Sequence, residues 1–413
     1  MDFVVYAVPF FILAMLLELI WGIHRGRNTY RVNDAVGSLF LGTLSQSRRF
    51  ITLGIGGYVY HQVATHFSMP QMDAHSVWTW VLAMVLYDFC YYWLHRMGHE
   101  RTILWAAHVA HHQSEDYNLS TALRQTSTGF LLGWIFYLPL FFIGIPAEVV
   151  VSVGSLNLIY QFWVHTEHVG KLGWYEWIFV TPSNHRVHHA QNERYLDRNY
   201  GGLFIIWDRM FGTFQEELDE DPPIFGIRGP LHSFNPFRAL THIYVDMFRD
   251  SWHARRWADK LRVWVARTGW RPADVEARFP RSKPDLDNFR RFDPPTTVRV
   301  RIYALFQLVA VVALLAYLQA GVATDYATGA VLALSMLLIT VTTAGWLDGT
   351  APQRCLRADL VRLLVLGVAL AIWMDKLAFG SFAVVAAAYL AINAVFLFGL
   401  ARDGAAPAPV PAP

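Results

Sequence analysis

Apolar and polar positions are segregated into long blocks, and the blocks predict two sets of membrane helices separated by polar sequence. Residues 3–22 form an almost unbroken apolar run, followed by the basic stretch HRGRN at 24–28. Residues 76–94, SVWTWVLAMVLYDFCYYWL, form another and end at His95 and Arg96. A helix needs roughly 18–20 apolar residues to cross the hydrocarbon core of a bilayer, so both runs predict spans. Residues 35–62 are apolar but interrupted by Arg48 and Arg49; a hairpin, a broken helix and an interfacial segment all fit. Residues 129–145 and 147–164, broken at Ile145 and Pro146, predict a tight helical hairpin too short for two full crossings. Four more apolar segments, near 302–320, 328–347, 359–375 and 380–400, predict a second bundle that contains no histidine.

The polar blocks are 100–127 and 166–290. Within the second, tryptophan-rich basic pieces such as 251–268 have the pattern of helices that lie on a membrane surface. The charged, proline-rich run 280–297 reads as a linker, and the tail ending AAPAPVPAP reads as disordered. The pattern therefore predicts an all-α fold, a polytopic membrane bundle with a histidine-rich cap. Its parts are a membrane-embedded domain over 1–290 with a core at 95–214, a linker at 291–300, accessory transmembrane helices over 301–402, and a disordered tail at 403–413.

Composition agrees with a membrane protein. Hydrophobic residues make up 54% of the 413 residues and charged residues only 16%; mean hydropathy is +0.28. A net charge of +2 is too small to imply nucleic-acid binding. The two cysteines, Cys90 and Cys355, lie far apart in apolar surroundings and indicate no disulfide framework. The N-terminal run lacks a basic n-region and a small-residue cleavage site, so it reads as a retained helix. Basic residues beside the apolar runs orient the polar blocks towards the cytoplasm. Scarce lysine and the Ala/Pro-rich tail suggest a GC-rich bacterial genome and hence an inner membrane; in a eukaryote the endoplasmic reticulum would take its place.

The candidate chemistry lies in the histidines. Ten of the seventeen fall between residues 95 and 189. His95 and His99 are four apart. His108, His111 and His112 form an i, i+3, i+4 set, and so do His185, His188 and His189. On a helix such positions share a face, so each set presents imidazoles to one point. Neutral imidazole is the commonest side-chain ligand for Zn, Fe, Cu and Ni. Eight or more exceed the need of one tetrahedral ion, so two metals are the economical reading. Asp88, a carboxylate inside an apolar run, is expensive there and usually functional; it could either hydrogen-bond a ligand imidazole or meet a neighbouring helix.

The pattern HxxxH, HxxHH, HxxHH across membrane spans resembles the fatty acid hydroxylase/sterol desaturase superfamily of membrane-embedded diiron oxygenases. HRMGHE, WAAHVAHHQSEDYNLSTALRQ, YQFWVHTEHVGKLG, TPSNHRVHH and NYGGLFIIWDRMFGTF are similar to the ether-lipid-cleaving members, the alkylglycerol monooxygenases. The likeness is strong over 95–214 and one of layout elsewhere. It implies an O2-dependent diiron enzyme that hydroxylates the alkyl carbon next to an ether oxygen; the hemiacetal then collapses to a fatty aldehyde and a glycerol derivative. It implies two non-haem irons and a reductant, tetrahydrobiopterin in animal members and cytochrome b5 or ferredoxin, as electron-donor proteins, in others of the superfamily.

Carried over by position, the metal residues are His95, His99, His108, His111, His112, His185, His188 and His189, with His165 as a further one. Glu100 and Glu167 stand within motif as ligands or supporting acids. His168 reads as a neighbour of His165, and Asn184 stands where other members can carry histidine. The remaining histidines, His24, His61, His66, His75, His232, His242 and His253, have no spacing partners and read as surface or interfacial. Tyr117 and Asn118 are candidates for the site entrance, and WDRMFGTF for a loop packed under the metals. Two other functions stay open: a hydroxylase or desaturase of fatty acyl, sterol or carotenoid chains, and, in another class, a membrane metal transporter or metal-binding protein.

Overall fold

The computed structural model describes residues 3–47, 55–125, 128–281, 284–320, 326–373 and 380–404. Arg48 and Arg49, where the second apolar stretch is interrupted, and the tail from 405 lie outside the described residues. Among those described, the regular structure is helical, with only isolated β-bridges and no strand. In chain order the helices are α1 (Val4–His24), α2 (Val32–Ser47), α3 (Ile55–His66), α4 (Val77–Glu100), α5 (Thr102–His112), α6 (Leu119–Ala122), α7 (Leu138–Phe142), α8 (Ala147–Trp163) and α9 (Pro182–His189). They continue with α10 (Ile206–Phe211), α11 (Pro236–His253), α12 (Trp257–Val265), α13 (Ala273–Arg278), α14 (Val298–Gln319), α15 (Tyr326–Leu347), α16 (Pro352–Trp373) and α17 (Gly380–Gly404).

Among the described residues, five helical stretches are long and apolar enough to cross a membrane: α1, α4, α14, α15 and residues 384–402 of α17. The protein is an integral membrane protein. α4 runs past the apolar block and ends at Glu100, so His95 and His99 sit on the last turns of a span. The apolar segment 129–145 is not one helix. It breaks into the 3-10 turns Gly129–Leu131 and Gly133–Tyr137 and the short α7. Glycines at 129 and 133 weaken a helix, and Gly144 takes a left-handed φ of 83° where a Cβ would stand 2.5 Å from the Pro70 carbonyl oxygen.

The chain divides into two compact units: Met1–Arg31, Thr52–Leu231 and Leu240–Arg291 form one, and Val32–Ile51, His232–Ala239 and Phe292–Pro413 the other. The boundary thus differs from a single cut at 290–300. α2 belongs with the accessory helices because Val36, Phe40 and Leu44, spaced i, i+4, i+8, give it one apolar face that packs with Tyr303, Ala304, Met336 and Leu347. In the first unit α11 and α12 turn Phe248, Trp252, Trp257, Leu261 and Val265 outward. An outward apolar stripe on a basic amphipathic helix suits the headgroup region of a bilayer.

α16 is 22 residues long but carries Arg354, Arg357, Asp359 and Arg362 in its first half, and it is absent from the five apolar stretches. Asp359 and Arg362 are nevertheless fully buried within the second unit. Arg362 donates to Tyr303 Oη at 2.9 Å and to Asn393 Oδ1 at 2.7 Å, and lies 3.4 Å from Asp359 Oδ1. Trp346 Nε1 donates to Asp359 Oδ2 at 2.7 Å, and Gln307 Nε2 to Asn393 Oδ1 at 2.7 Å. Removing one member of a buried ion pair leaves the other charge uncompensated, typically at a cost of about 3–5 kcal/mol. Arg362→Leu is therefore expected to destabilise the second unit by about that amount, and Arg362→Leu with Asp359→Asn to recover part of it. Chemical or thermal unfolding in detergent, followed by circular dichroism, measures both.

Candidate metal centre

Nine buried or nearly buried histidines from four segments form two groups. His95 and His99 of α4, His108 and His112 of α5 and His188 of α9 make the first; His111 of α5, His165 just after α8, and His185 and His189 of α9 make the second. In each group the ring nitrogens able to bind a metal lie within 4.8 Å of one another. The helical spacing sorts them. On α5, His108 and His112 face the first group and His111 the second; on α9, His188 faces the first and His185 and His189 the second. Each i, i+3, i+4 set is thus shared between the two groups.

The ring orientations are fixed by backbone carbonyls. His95 Nδ1 donates to Tyr200 O at 2.8 Å, His111 Nδ1 to Arg124 O at 2.9 Å, His165 Nδ1 to Gln161 O at 2.8 Å and His188 Nδ1 to Arg198 O at 2.9 Å. A carbonyl oxygen only accepts, so in these four rings Nδ1 carries the hydrogen and Nε2 carries a lone pair. His111 Nε2 and His165 Nε2 then face each other at 3.3 Å with lone pairs on both. That pair cannot hydrogen-bond; it repels unless a cation lies between. Other close approaches are 3.1 Å from His95 Nε2 to His108 Nε2, 3.0 Å from His112 Nε2 to His108 Nε2 and 3.1 Å from His185 Nε2 to His165 Nε2. Two nitrogens at about 2.0–2.1 Å from one tetrahedral ion would stand about 3.3 Å apart.

Burial completes the case. His99 Nε2, His185 Nδ1, His188 Nε2 and His189 Nε2 are buried without a hydrogen-bond partner. A buried polar atom left unpaired costs about 1–3 kcal/mol; the Nε2 atoms of His99, His188 and His189, divided between the two groups, point to a partner that accepts their lone pairs, while His185 already turns its Nε2 towards His165. Loss of water holds His108, His112, His165, His185, His188 and His189 far below the usual imidazole pKa, with mutual repulsion adding to it, and burial takes His111 down to about 4. The rings are neutral, as metal ligation requires. The residues fit two metal ions, each held by nitrogen alone.

α9 is built to present its histidines. Thr181 caps it and Pro182 occupies its first turn. Asn184 Oδ1 accepts the Thr181 N–H at 3.1 Å, closing a capping box. Asn184 is a cap, which is the role its position gives it in place of a histidine.

Asp88 does not touch an imidazole. Its Oδ1 accepts from Asn157 Nδ2 and Leu203 N, both at 2.7 Å, and its Oδ2 from Phe204 N and Trp207 Nε1, both at 2.9 Å. Asp208, buried, accepts from Tyr200 N at 2.7 Å, Gly201 N at 2.8 Å and Thr213 Oγ1 at 2.7 Å. The two carboxylates clamp the NYGG…WD loop so that the Tyr200 carbonyl meets His95. A Cβ on Gly202 would lie 2.8 Å from Asp88 Oδ1, and one on Gly201 2.4 Å from Phe204 O, so that approach requires both glycines.

Glu100 accepts from Arg96 Nε at 2.8 Å, one helical turn back, and Glu167 meets Arg27 at 3.4 Å. Neither contacts a ring of the two groups, because each finds an arginine first. Tyr117 is fully buried and donates to Val164 O at 2.9 Å, its ring against His165, His189 and Phe225; Asn118 caps α6 and donates to Thr29 O at 2.8 Å. They form the inner wall, not an entrance. His168 joins neither group. The carbonyls of Arg124, Gln161, Arg198 and Tyr200 were beyond sequence reasoning, since every residue offers one.

Residues 80–213 match the family model for fatty acid hydroxylase. The human alkylglycerol monooxygenase is 35% identical over 88% of this chain and 82% of its own length. The alkylglycerol monooxygenase of Xenopus tropicalis is 34% identical over 88% and 81%, and that of Danio rerio 40% identical over 64% and 59%. The chain belongs to the fatty acid hydroxylase family. As a member it is an oxidoreductase of the lipid monooxygenase type, and the family together with the imidazole groups points to a non-haem iron site. No solved structure matches it significantly.

Asp88→Asn replaces an acceptor with an N–H2 group that cannot take the Leu203 or Phe204 N–H. Loss of an outer support of this kind typically weakens metal retention about 10–100-fold. Chelator competition on iron-loaded protein is expected to show that loss for Asp88→Asn and little change for Glu100→Gln, whose partner is Arg96 alone.

Proposed function

We propose that this protein is a diiron monooxygenase of ether lipids, hydroxylating the alkyl carbon bonded to the ether oxygen of an alkylglycerol and releasing a fatty aldehyde and a glycerol derivative. The observation that carries the diiron part is the lone-pair contact of His111 and His165 Nε2 at 3.3 Å among nine buried neutral imidazoles in two groups. The substrate part rests on the likeness to the human and frog alkylglycerol monooxygenases over most of both chains. His95, His99, His108, His112 and His188 hold one iron, and His111, His165, His185 and His189 the other. When bound, the irons supply O2 activation. The protein supplies the rest. Buried imidazoles anchored on carbonyls hold the donors in place without reorganisation. Tyr117 and Trp105 wall the groups with apolar rings, Trp105 packing 5.1 Å from His99 and 5.7 Å from His112, and keep bulk water out. The first unit is the catalytic one, with the metal face towards the cytoplasm in a bacterial inner membrane. The electrons come from a tetrahydropterin or from a cytochrome b5- or ferredoxin-type donor.

The test is anaerobic purification with metal analysis, then incubation with a 1-O-alkylglycerol, O2 and a tetrahydropterin. About two irons per chain and aldehyde release are expected. His111→Ala is expected to lose about half the iron and all the activity. Two irons with no aldehyde from any alkylglycerol, under any of these donors, would overturn the substrate assignment. Full iron and full activity in His111→Ala would overturn the metal assignment.

A further inference from the structure

Asn157 and Gln161, one turn apart on α8, carry a hydrogen-bonded chain across to α4. Asp88 Oδ1 accepts from Asn157 Nδ2 at 2.7 Å. Asn157 Oδ1 accepts from Gln161 Nε2, and Gln161 Oε1 accepts from Tyr91 Oη at 2.7 Å. The carboxylate end sets the polarity of the rest. Asp88 meets donors only, so Asn157 turns its N–H2 to Asp88 and its oxygen to Gln161. Gln161 must then donate to Asn157, and its own oxygen is left for the Tyr91 hydroxyl. Neither amide can flip without setting two acceptors or two donors face to face. Asp88, Asn157 and Gln161 are buried and Tyr91 half-buried, where an unmade bond is costly.

Both ends of this chain reach the imidazole groups through direct contacts. On the side of the first group, the Tyr91 ring stands 5.2 Å from the His95 ring. Asp88 holds the loop whose Tyr200 carbonyl takes the His95 Nδ1 hydrogen at 2.8 Å. That loop is gripped by the chain itself. A Cβ on Gly202 would stand 2.8 Å from Asp88 Oδ1, 2.8 Å from the Tyr91 ring and 3.0 Å from Asn157 Oδ1. On the side of the second group, the Gln161 carbonyl takes the His165 Nδ1 hydrogen at 2.8 Å. Gln161 thus serves the second group with its main chain and the first with its side chain. α5 and α9 carry rings of both groups, whereas His95 and His99 of α4 serve only the first and His165 only the second. The Tyr91–Gln161–Asn157–Asp88 chain joins those two separate supports.

We propose that Gln161 is a positioning residue that couples the two metal groups, so that an ion held by one raises the affinity of the other. The inference rests on the two-iron reading above. An ion in the first group fixes His95, and with it Tyr91 and the Tyr200 loop. Through the chain these fix the Gln161 turn and the carbonyl behind His165, so the second ion meets donors already ordered. The coupling is reciprocal, and filling the second group first orders the first to the same extent. Because α5 and α9 also link the groups, severing the chain lowers the coupling without abolishing it.

The test equilibrates the iron-loaded full chain, in detergent and without O2, with a series of Fe2+ concentrations set by a chelator. Native mass spectrometry counts the chains carrying no ion, one and two, which gives both stepwise affinities without turnover. Gln161→Leu keeps the carbonyl behind His165 and nearly the same size but severs both arms. It is expected to lower the ratio of second to first affinity about tenfold, within the usual range of coupling between sites, while still taking two ions at saturation. Tyr91→Phe keeps the ring against His95, removes one arm and is expected to lower the ratio a few-fold. Tyr244→Phe, which loses a comparable hydrogen bond to Thr128 Oγ1 outside the chain, is expected to leave it unchanged. If Gln161→Leu does not fold, Tyr91→Phe decides. A wild-type ratio in the folded Gln161 and Tyr91 variants, or an equal fall in Tyr244→Phe, would overturn the role of Gln161 and leave the two-iron reading standing. Fewer than two ions in the unaltered chain would overturn that reading itself.

Discussion

Four imidazole N–H groups, each given to a backbone carbonyl, are the constraint on which the centre depends. A histidine with a free choice of tautomer could satisfy its neighbours by ordinary hydrogen bonding, and a crowd of such rings would be an unremarkable polar cluster. Here the Tyr200, Arg124, Gln161 and Arg198 carbonyls remove that choice for His95, His111, His165 and His188. The lone pairs they leave on Nε2 converge instead of pairing. Because a main-chain carbonyl is placed only by folding its whole segment, the demand spreads outward. The turn after α6, the last turn of α8 and the loop after α9 must each take one conformation for the rings to stand as they do.

Two buried carboxylates show how far the demand reaches. Charges are costly in a dry interior unless every oxygen is engaged. Asp88 accepts four hydrogen bonds and Asp208 three, most of them from one loop, so both are satisfied and the loop is held. Gly201 and Gly202 make the arrangement possible by letting backbone approach where a side chain would collide. The motif NYGG…WDRMFGT is thus a device for delivering the Tyr200 carbonyl. Gly212, left-handed at φ 72°, ends α10 and lets Thr213 turn back onto Asp208.

The part of this that could be read from the sequence is the part governed by period. Spacings of three and four on a helix are a geometric rule, and they identified His95, His99, His108, His111, His112, His185, His188 and His189 as residues that meet; His165 has no such spacing and came from its place in the histidine cluster at the end of an apolar run, together with the family likeness. The same rule did not tell which group His111 joins, since that depends on how α5 and α9 face each other. Long apolar runs likewise marked α1, α4, α14, α15 and α17. What escaped was decided by single long-range contacts. Asp88 left two partners open, an imidazole or a neighbouring helix; it meets Asn157 of α8 and, beyond what either reading gave, N–H groups 115 and 116 residues away. Glu100 and Glu167 stand beside histidines in the chain and pair with arginines in space. α2 precedes the histidine motifs but packs with helices near the C-terminus, because its apolar stripe matches theirs. The residues 129–145 form turns and not a helix, since glycine and proline outweigh hydropathy locally.

The donor set has an electrostatic consequence. Both groups contain imidazoles and no carboxylate among the described residues. Di-iron sites in ferritin-like bundles use glutamates, which cancel much of the metal charge. Nine neutral rings cancel none of it, and the carboxylates that directly flank the motifs are already committed, Glu100 to Arg96 and Glu167 to Arg27. Two divalent ions would therefore keep their full charge in a site from which burial removes water. The compensation on hand is dipolar. Each of the four carbonyls points its negative end at an imidazole N–H, raising the electron density at the far nitrogen, and this acts at four positions around the two groups. That is a weaker neutraliser than a carboxylate. With two divalent ions bound, such a donor set would leave the centre electron-poor.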